Sequence, residues 1–399
     1  MANSLTYFNA EYWATQMQET FFKENVALGI CNTELRDVLV DGTRVHRPYR
    51  GSMKAQTYTK GTDITTFNDL TSTDEYLDVD TVKVVPFYVD TLDKIQNKWS
   101  AIDIFASDSQ KILNNLIDQA VLAEYSNAYS YISAQDLGGS GTGNATINTS
   151  NVMNLFTVAA RQLDKYNRGQ QDRFAIIGPR LREILRQSAA GRETGFGDTV
   201  GANGYLGNRF GFELYFSNNV PFSCAITTSS IPVDGETITV DGVVFTWEAH
   251  GTNCASAGEV DIGTSEDEAY ANLVLAINGT TAGTSATYYD VSADDREQLN
   301  QGGITASYTA HALVISGYGD VVISEDTTNC AVTTNAQYPL FGVKKSIDFV
   351  IQKAPNVEFH QAEKRLGTYV FPWTCYGKKT FTKEKKGLVY AKVSTADWI

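Results

Sequence analysis

SNNVP (217–221) and YPLFGVKKSIDF (338–349) read as the two ends of one broken domain, and the residues between them have a different composition. From 226 to 335, sixteen Asp and Glu stand against one base, Arg296, a net of −15. The remaining 289 residues carry 30 acids and 31 bases, so the chain's −14 comes from this one segment. At about 110 residues the segment has ordinary domain size. It also has its own local signals. GETITV-DG-VVFTW (235–247) spells a β-hairpin in which Asp241-Gly242 suits a type I′ turn. Ser265 to Glu268 form a capping box, and Ala269, Leu273, Ala276 and Ile277 make one helical face that Gly279 ends. Short strands follow at 304–308, 311–316 and 321–324. One helix on a mostly antiparallel sheet is the simplest closure.

Outward from the segment, the flanking chain alternates helix and strand signals. RFAII (173–177) reads as a strand, and Pro179 suits the first turn of a helix through Gln187, where its missing N–H is not needed. A strand is expected over 210–216, after a glycine-rich and mobile 191–207. Helices are expected over 151–166, capped by Ser150, and over 107–128, capped by Ser107 or Asp108, where Ile112, Leu113, Leu116, Ile117, Ala120, Val121 and Ala123 recur at the helical period. GGSGTG (138–143) is a flexible loop. An amphipathic helix is expected over 11–26, carrying Tyr12, Trp13, Met17, Phe21 and Phe22. Strand signals over 43–49 and 76–89 flank a polar stretch, 51–70, that has little to bury. Two such strands make a long extended β-loop, which needs a partner surface to be stable. After the broken segment, strands are expected over 346–351 and 368–371, and 377–393 reads as a closing hairpin with Gly387 in its bend.

Composition excludes several functions. The five cysteines (31, 224, 254, 330, 375) show no CxxC spacing and suit free thiols in a reducing compartment. Cys254 and Cys330 share the acidic segment, the only support for a disulfide between them. MANSLTYFNAEYW lacks the pattern of a signal peptide, and no apolar run is long enough for a membrane-spanning helix. The acidic balance argues against reading of nucleic-acid sequence, which needs clustered Lys and Arg. Bases exceed acids only locally, eleven to five over 340–399, densest in KKTFTKEKK (378–386). That run is either a solvated strand pair or a face that docks an acidic neighbour.

No constellation carries catalysis. His46, His250, His311 and His360 are far apart, and His250 with Cys254 falls in a glycine-rich turn unsuited to a metal pair. CYGKKT (375–380) lacks the first glycine of a P-loop, where Pro372 stands, and GANGYLG (201–207) lacks dinucleotide-binding spacing. Asp294-Asp295-Arg296-Glu297 reads as a solvated helix turn. Asn144, Asn148 and Asn278 fit a glycosylation pattern that has no meaning without secretion. No catalytic, cofactor or metal residues are assigned. A large chain with extended, self-insufficient elements and no active site is a building block.

The order of these elements resembles the major capsid proteins of tailed bacteriophages, the Hong Kong 97-type fold. EYLDVDTVKVVPFYVDTLDKIQN (75–97) is similar to the family's return strand of the extended loop running into the peripheral domain. IDQAVLAEYSNA (117–128) is similar to the end of its spine helix, and RFAIIGPRLREIL (173–185) to an axial-domain strand and helix. NGYLGNRFGFELYFSNNVP (203–221) is the most specific stretch. The resemblance implies an α+β fold with an N-terminal arm (1–40), an extended β-loop (41–92), peripheral and axial domains in two parts (93–225 and 336–399), and a β-rich insertion domain (226–335). It implies hexamers and pentamers of an icosahedral virion shell around double-stranded DNA, assembled in the host cytoplasm with a portal. Because the chain opens almost directly with the arm, a separate scaffolding protein is expected. Lys54 and Lys60 lie in the loop, but no partner marks a crosslink. A cellular nanocompartment shell of the same fold and a glycan-binding adhesin are the alternatives.

Overall fold

The computed structural model describes residues 23, 25–37, 42–96, 101–190, 208, 210–279, 287–326, 329–363 and 365–394. The helix expected over 11–26 lies outside these except for Lys23, Asn25 and Val26, which are not helical, and 191–207 lies outside them entirely. Six α-helices order the described chain: α1 Thr91–Gln96, α2 Ala101–Leu122, α3 Val152–Lys165, α4 Pro179–Ala190, α5 Glu266–Asn278 and α6 Ala293–Gln301.

The long helix α2 is the axis of the body. Its 22 residues span about 33 Å at 1.5 Å per residue. It is already helical at Ala101, so Ser107 and Asp108 do not cap it. They sit in its second turn, where Asp108 pairs with Lys111 at 3.2 Å. Ile102, Ile104 and Phe105 carry the apolar period upstream and override the cap signal. After Leu122 the chain tightens into a 3₁₀ turn, Ala123–Asn127. The helix over 152–165 begins at Asn151, not at Ser150, and has no side-chain cap.

Beside α2 lies a five-stranded sheet in the order Ser130–Ile132, Leu388–Ala391, Leu340–Val343, Arg173–Ile177, Phe212–Phe216. The two outer pairs are parallel and the inner pairs antiparallel. All five residues of Arg173–Ile177 are buried. Side chains alternate between the faces of a strand. Phe174 and Ile176 therefore enter one apolar cluster with Ile117 and Val121 of α2. Ala175 and Ile177 enter another with Leu155 and Phe156 of α3 and Leu185 of α4. Each large apolar side chain buried there contributes about 1.5–3 kcal/mol. Neither cluster takes a residue from 222–337.

The strand Leu388–Ala391 corrects the expected closing hairpin. Gly377 belongs to the long strand Gly367–Lys379, and Gly387 ends a 3₁₀ turn, Glu384–Gly387, instead of a hairpin bend. The chain then crosses into the other sheet. Leu388 and Val389 are buried in opposite clusters, as in a central strand, whereas a surface hairpin would bury one face. The strand Asp348–Gln361 pairs with Gly367–Lys379, to which Thr81–Val84 and Phe87–Asp90 also pair.

Residues 222–330 supply a third cluster, built around Trp247 and Tyr270, whose rings meet edge-on at 5.5 Å. The hairpin Thr237–Val240/Val243–Glu248 turns through Asp241 and Gly242 with φ of 52° and 84°, the positive values a type I′ turn requires. Ser265 Oγ accepts from the Glu268 N–H at 3.3 Å, while the Glu268 carboxylate reaches back to the Thr264 N–H at 2.8 Å. Gly279 ends α5 at φ 58°. The expected single helix on one sheet is too simple. Two helices and two sheets are present, one sheet ordered Glu259–Asp261, Val243–Glu248, Thr237–Val240, Ile323–Asp326 and the other built on Pro221–Thr228. Helix α6 escapes a periodicity search because only Leu299 of its nine residues is buried. Cys254 and Cys330 are separate free thiols.

Candidate assembly surfaces

A two-stranded ribbon leaves the body between Arg44 and Asp78. Arg44–His46 pairs with Tyr76–Asp78, then Tyr49–Arg50 with Ser72–Thr73. Farther out the ladder thins. Asn68 and Lys54 bond each other through the Asn68 amide, Gln56 Nε2 donates to Thr66 O at 2.9 Å, and the Thr62 N–H closes the turn on Thr59 O. Every residue from 52 to 70 is exposed. About ten residues per arm at 3.3 Å make a projection of roughly 30 Å. Phe67 and Leu70 are 79% and 84% exposed, and Met53 and Ile64 more than half. Nothing in the described chain covers these side chains. A second exposed apolar group, which the sequence reading missed, comprises Leu92 and Ile95 of α1 with Phe359 and Leu366 around the tip of the long hairpin.

Buried carboxylates hold these extensions to the body. Asp118, on α2, accepts from the Val26 and Ala27 N–H groups at 3.0 and 2.8 Å and from Asn219 Nδ2 at 2.9 Å. Asp348 accepts from Asn32 Nδ2 at 2.7 Å and from Arg47 Nη1 at 2.6 Å, joining the chain before the ribbon and the ribbon's base to the long hairpin. Glu124 accepts from Asn127 and Thr380 and faces Lys378 at 3.4 Å. Burial raises the Asp118 and Asp348 carboxyls above the usual value, against the lowering pull of the Ala27 N–H on the first and Arg47 on the second. Sequence reasoning missed all three, although Asp118 stands out within the apolar run LIDQAVL (116–122).

The basic run at 378–386 starts in a strand pair, with Lys378 and Lys379 opposite Phe349 and Asp348, and continues into the 3₁₀ turn Glu384–Gly387. Lys378 donates to Ala120 O, Lys379 donates to Tyr76 O at 2.6 Å, and Lys383 and Lys386 lie over the Tyr49 and Tyr129 rings. The four histidines stay separate. His46 meets Asp74, His250 meets Asp261, His311 meets Glu266, and His360 lies beside Glu358. Among the described residues no three His, Cys, Asp or Glu side chains converge as a metal site, and no helix is long and apolar enough to cross a membrane.

In the acidic segment the single base is already committed. Arg296 donates to the Ile277 and Ala276 carbonyls at 2.8 and 2.7 Å, where the C-terminal end of the α5 dipole favours a cation, and also to Asp290. Asp294-Asp295-Arg296-Glu297 is the first part of α6, capped by Ser292, as the helix-turn reading expected.

Residues 77–253 match the sequence profile of the family described as phage capsid protein. Comparison with curated proteins finds no match. A structure from Mycobacterium phage Che8 superposes over 97% of this chain and 98% of its own, with a TM-score of 0.60 at 14% identity. The capsid structure of the cyanophage P-SCSP1u covers 99% of this chain and 96% of its own, with a TM-score of 0.57 at 15% identity. The mature capsid of bacteriophage PhiM1 covers 97% and 92%, with a TM-score of 0.53 at 12% identity. At these identities the likeness is one of fold, and the fold is the α+β, Hong Kong 97-like one. By sequence over 77–253 this chain matches the phage capsid protein family, and over nearly its whole length its fold is that of phage capsid structures.

Proposed function

We propose that the chain assembles as hexamers and pentamers into a closed icosahedral shell around phage double-stranded DNA, with the ribbon of each subunit lying on a neighbour. The observation that carries this is the ribbon itself, whose Met53, Ile64, Phe67 and Leu70 find no cover among the described residues. A projection with so little internal pairing gains stability only from a surface it lands on. Residues 226–335 are an insertion domain on the outer face. Packed DNA lies within the screening length of about 8 Å at physiological salt, so a net −15 facing it would be repelled. On the outside the same charge keeps particles apart. A separate scaffolding protein and a portal complete assembly in the host cytoplasm.

Deleting 51–70 tests the reading. The variant should purify as a folded subunit with the parent's circular dichroism and fail to form shells in electron micrographs. Normal shells from it would remove the ribbon from the interface.

A further inference from the structure

At the carboxyl ends of the parallel strands Arg173–Ile177 and Phe212–Phe216 lies a cavity of about 450 Å³. Its wall includes Pro179, Arg182 and Arg186 from α4, with Phe216 and Asn218 from the chain that leaves the second strand. Crevices outside the carboxyl ends of parallel strands are places where α/β sheets receive ligands. Arg182 stands over the Phe216 ring with its guanidinium carbon 4.0 Å from the centroid. Its Nε is buried and has no hydrogen-bond partner. Glu183, the acid on the same wall, is engaged by Arg180 at 2.8 Å and by Gln187 at 3.1 Å. Burial first, and the charge of Arg186 second, lower the Arg182 pKa, and no carboxylate among the described residues is bonded to it.

The counter-charge is abundant elsewhere in the chain. The 226–335 segment carries sixteen acids, and its one base is held by the end of α5. Asp294 and Asp326 are exposed and have no partner among the described residues. Within one subunit the segment approaches α4 at Asp320, which feels Arg180 and Glu183. In a ring of identical subunits the contacts are heterologous, so a socket on one flank is filled by a different surface of the next copy.

We propose that the Arg182 pocket seats a carboxylate from the 226–335 segment of the adjacent copy in the same capsomer. The proposal rests on the reading of hexameric and pentameric rings. A bidentate guanidinium–carboxylate bond fits the planar fork of Arg182, and the Phe216 ring beneath it fixes the plane.

Two variants test it in full-length protein. Arg182→Glu should leave the melting temperature of the free subunit unchanged and cut the yield of shells at least about tenfold, the rate or equilibrium factor that about 1.4 kcal/mol represents. Arg182→Lys keeps the charge and should assemble. Isotope-labelled Arg182→Lys subunits, co-assembled with unlabelled parent and treated with a carbodiimide, form an amide as the carbodiimide takes up the elements of water. Mass spectrometry should place that amide between position 182 and an acid of 226–335 on a differently labelled chain. An amide within one chain, an amide to an acid elsewhere, no amide at all, or undiminished yield from Arg182→Glu overturns the pocket assignment. The unaltered chain, assembled alongside, reports on the shell itself. If it forms none, the ring reading fails and the proposal falls with it.

Discussion

Asn219 and Asp118 lie side by side in the interior, the Asn219 Nδ2 donating to Asp118 Oδ2 at 2.9 Å with neither residue exposed. The bond joins the C-terminal part of the long helix to the loop that precedes the acidic segment. The same carboxylate takes the N–H groups of Val26 and Ala27, so one buried group fixes three parts of the chain.

Replacing Asp118 by Ala leaves those three donors without their acceptor. The expected loss is about 3 kcal/mol or more, since each buried unsatisfied donor costs about 1–3 kcal/mol. Urea denaturation of the unassembled subunit measures it. A midpoint equal to the parent's would mean that the arm is anchored elsewhere.

The acidic segment should lose stability as pH rises past neutrality. A hydrogen bond from Asp261 raises His250, and one from Glu266 raises His311, above the ordinary 6.5. A histidine with a raised folded pKa contributes fully below 6.5, and the contribution fades as pH climbs through the folded value. Glu266, partly desolvated but held down by Thr228 and His311, is lowered, so its own contribution is lost only on acidification below its usual 4.5. Thermal melts from about pH 5.5 to about pH 8 should therefore fall across the upper half of the range. The double variant His250→Ala, His311→Ala should flatten that fall.

If residues 226–335 form a domain, their core can be damaged without harm to the body. Trp247→Ala should cost about 3–5 kcal/mol within the segment. Hydrogen exchange should quicken in α5 and the hairpin Thr237–Val240/Val243–Glu248 and stay unchanged in α3 and Arg173–Ile177. Equal loosening of both would argue for one shared core.

Gly377 sits where the long hairpin meets the ribbon's base. A Cβ there would stand 2.3 Å from Asp78 O and 2.9 Å from the Val79 Cα, both backbone atoms that cannot swing aside. Gly377→Ala should cost about 1–3 kcal/mol. It should also lower shell yield by tilting the ribbon. An unchanged melt and yield would show that the backbone yields easily at that point.

Proteolysis tests the proposed outward position of the acidic segment. On DNA-filled particles, cuts confined to 279–284 support it. Protection there until the shell is opened would reverse the orientation.

Much of the body was legible because its signals are local and redundant. Phe174 to Ile177 form an uninterrupted apolar run, and the Asp241-Gly242 turn and the Ser265 cap each depend on a few adjacent residues. The exposed ribbon was legible for the opposite reason, as a stretch with nothing to bury. What escaped depends on partners distant in sequence. The stretch 377–393 as a whole reads as an alternating hairpin, and only the neighbours Leu340–Val343 and Ser130–Ile132 make Leu388–Ala391 a central strand. Asp118 and Asp348 read as ordinary acids until Asn219 and Arg47 are brought to them from 101 and 301 residues away. The basic run at 378–386 left a solvated strand pair and a docking face both open, and most of its lysines meet rings and carbonyls of the subunit itself.

The strands that lead into and out of the acidic segment are hydrogen-bonded neighbours, with Phe222 opposite Gln337. Directly opposed residues of an antiparallel pair are about 5 Å apart. The two clusters that build the body draw nothing from between those positions. The junction therefore behaves as a cassette slot. A turn of a few residues could close it, and a foreign domain with equally close termini could occupy it, without disturbing either body cluster. With the proposed outward orientation, such an exchange would alter the coat's outer chemistry and leave the geometry of the shell untouched.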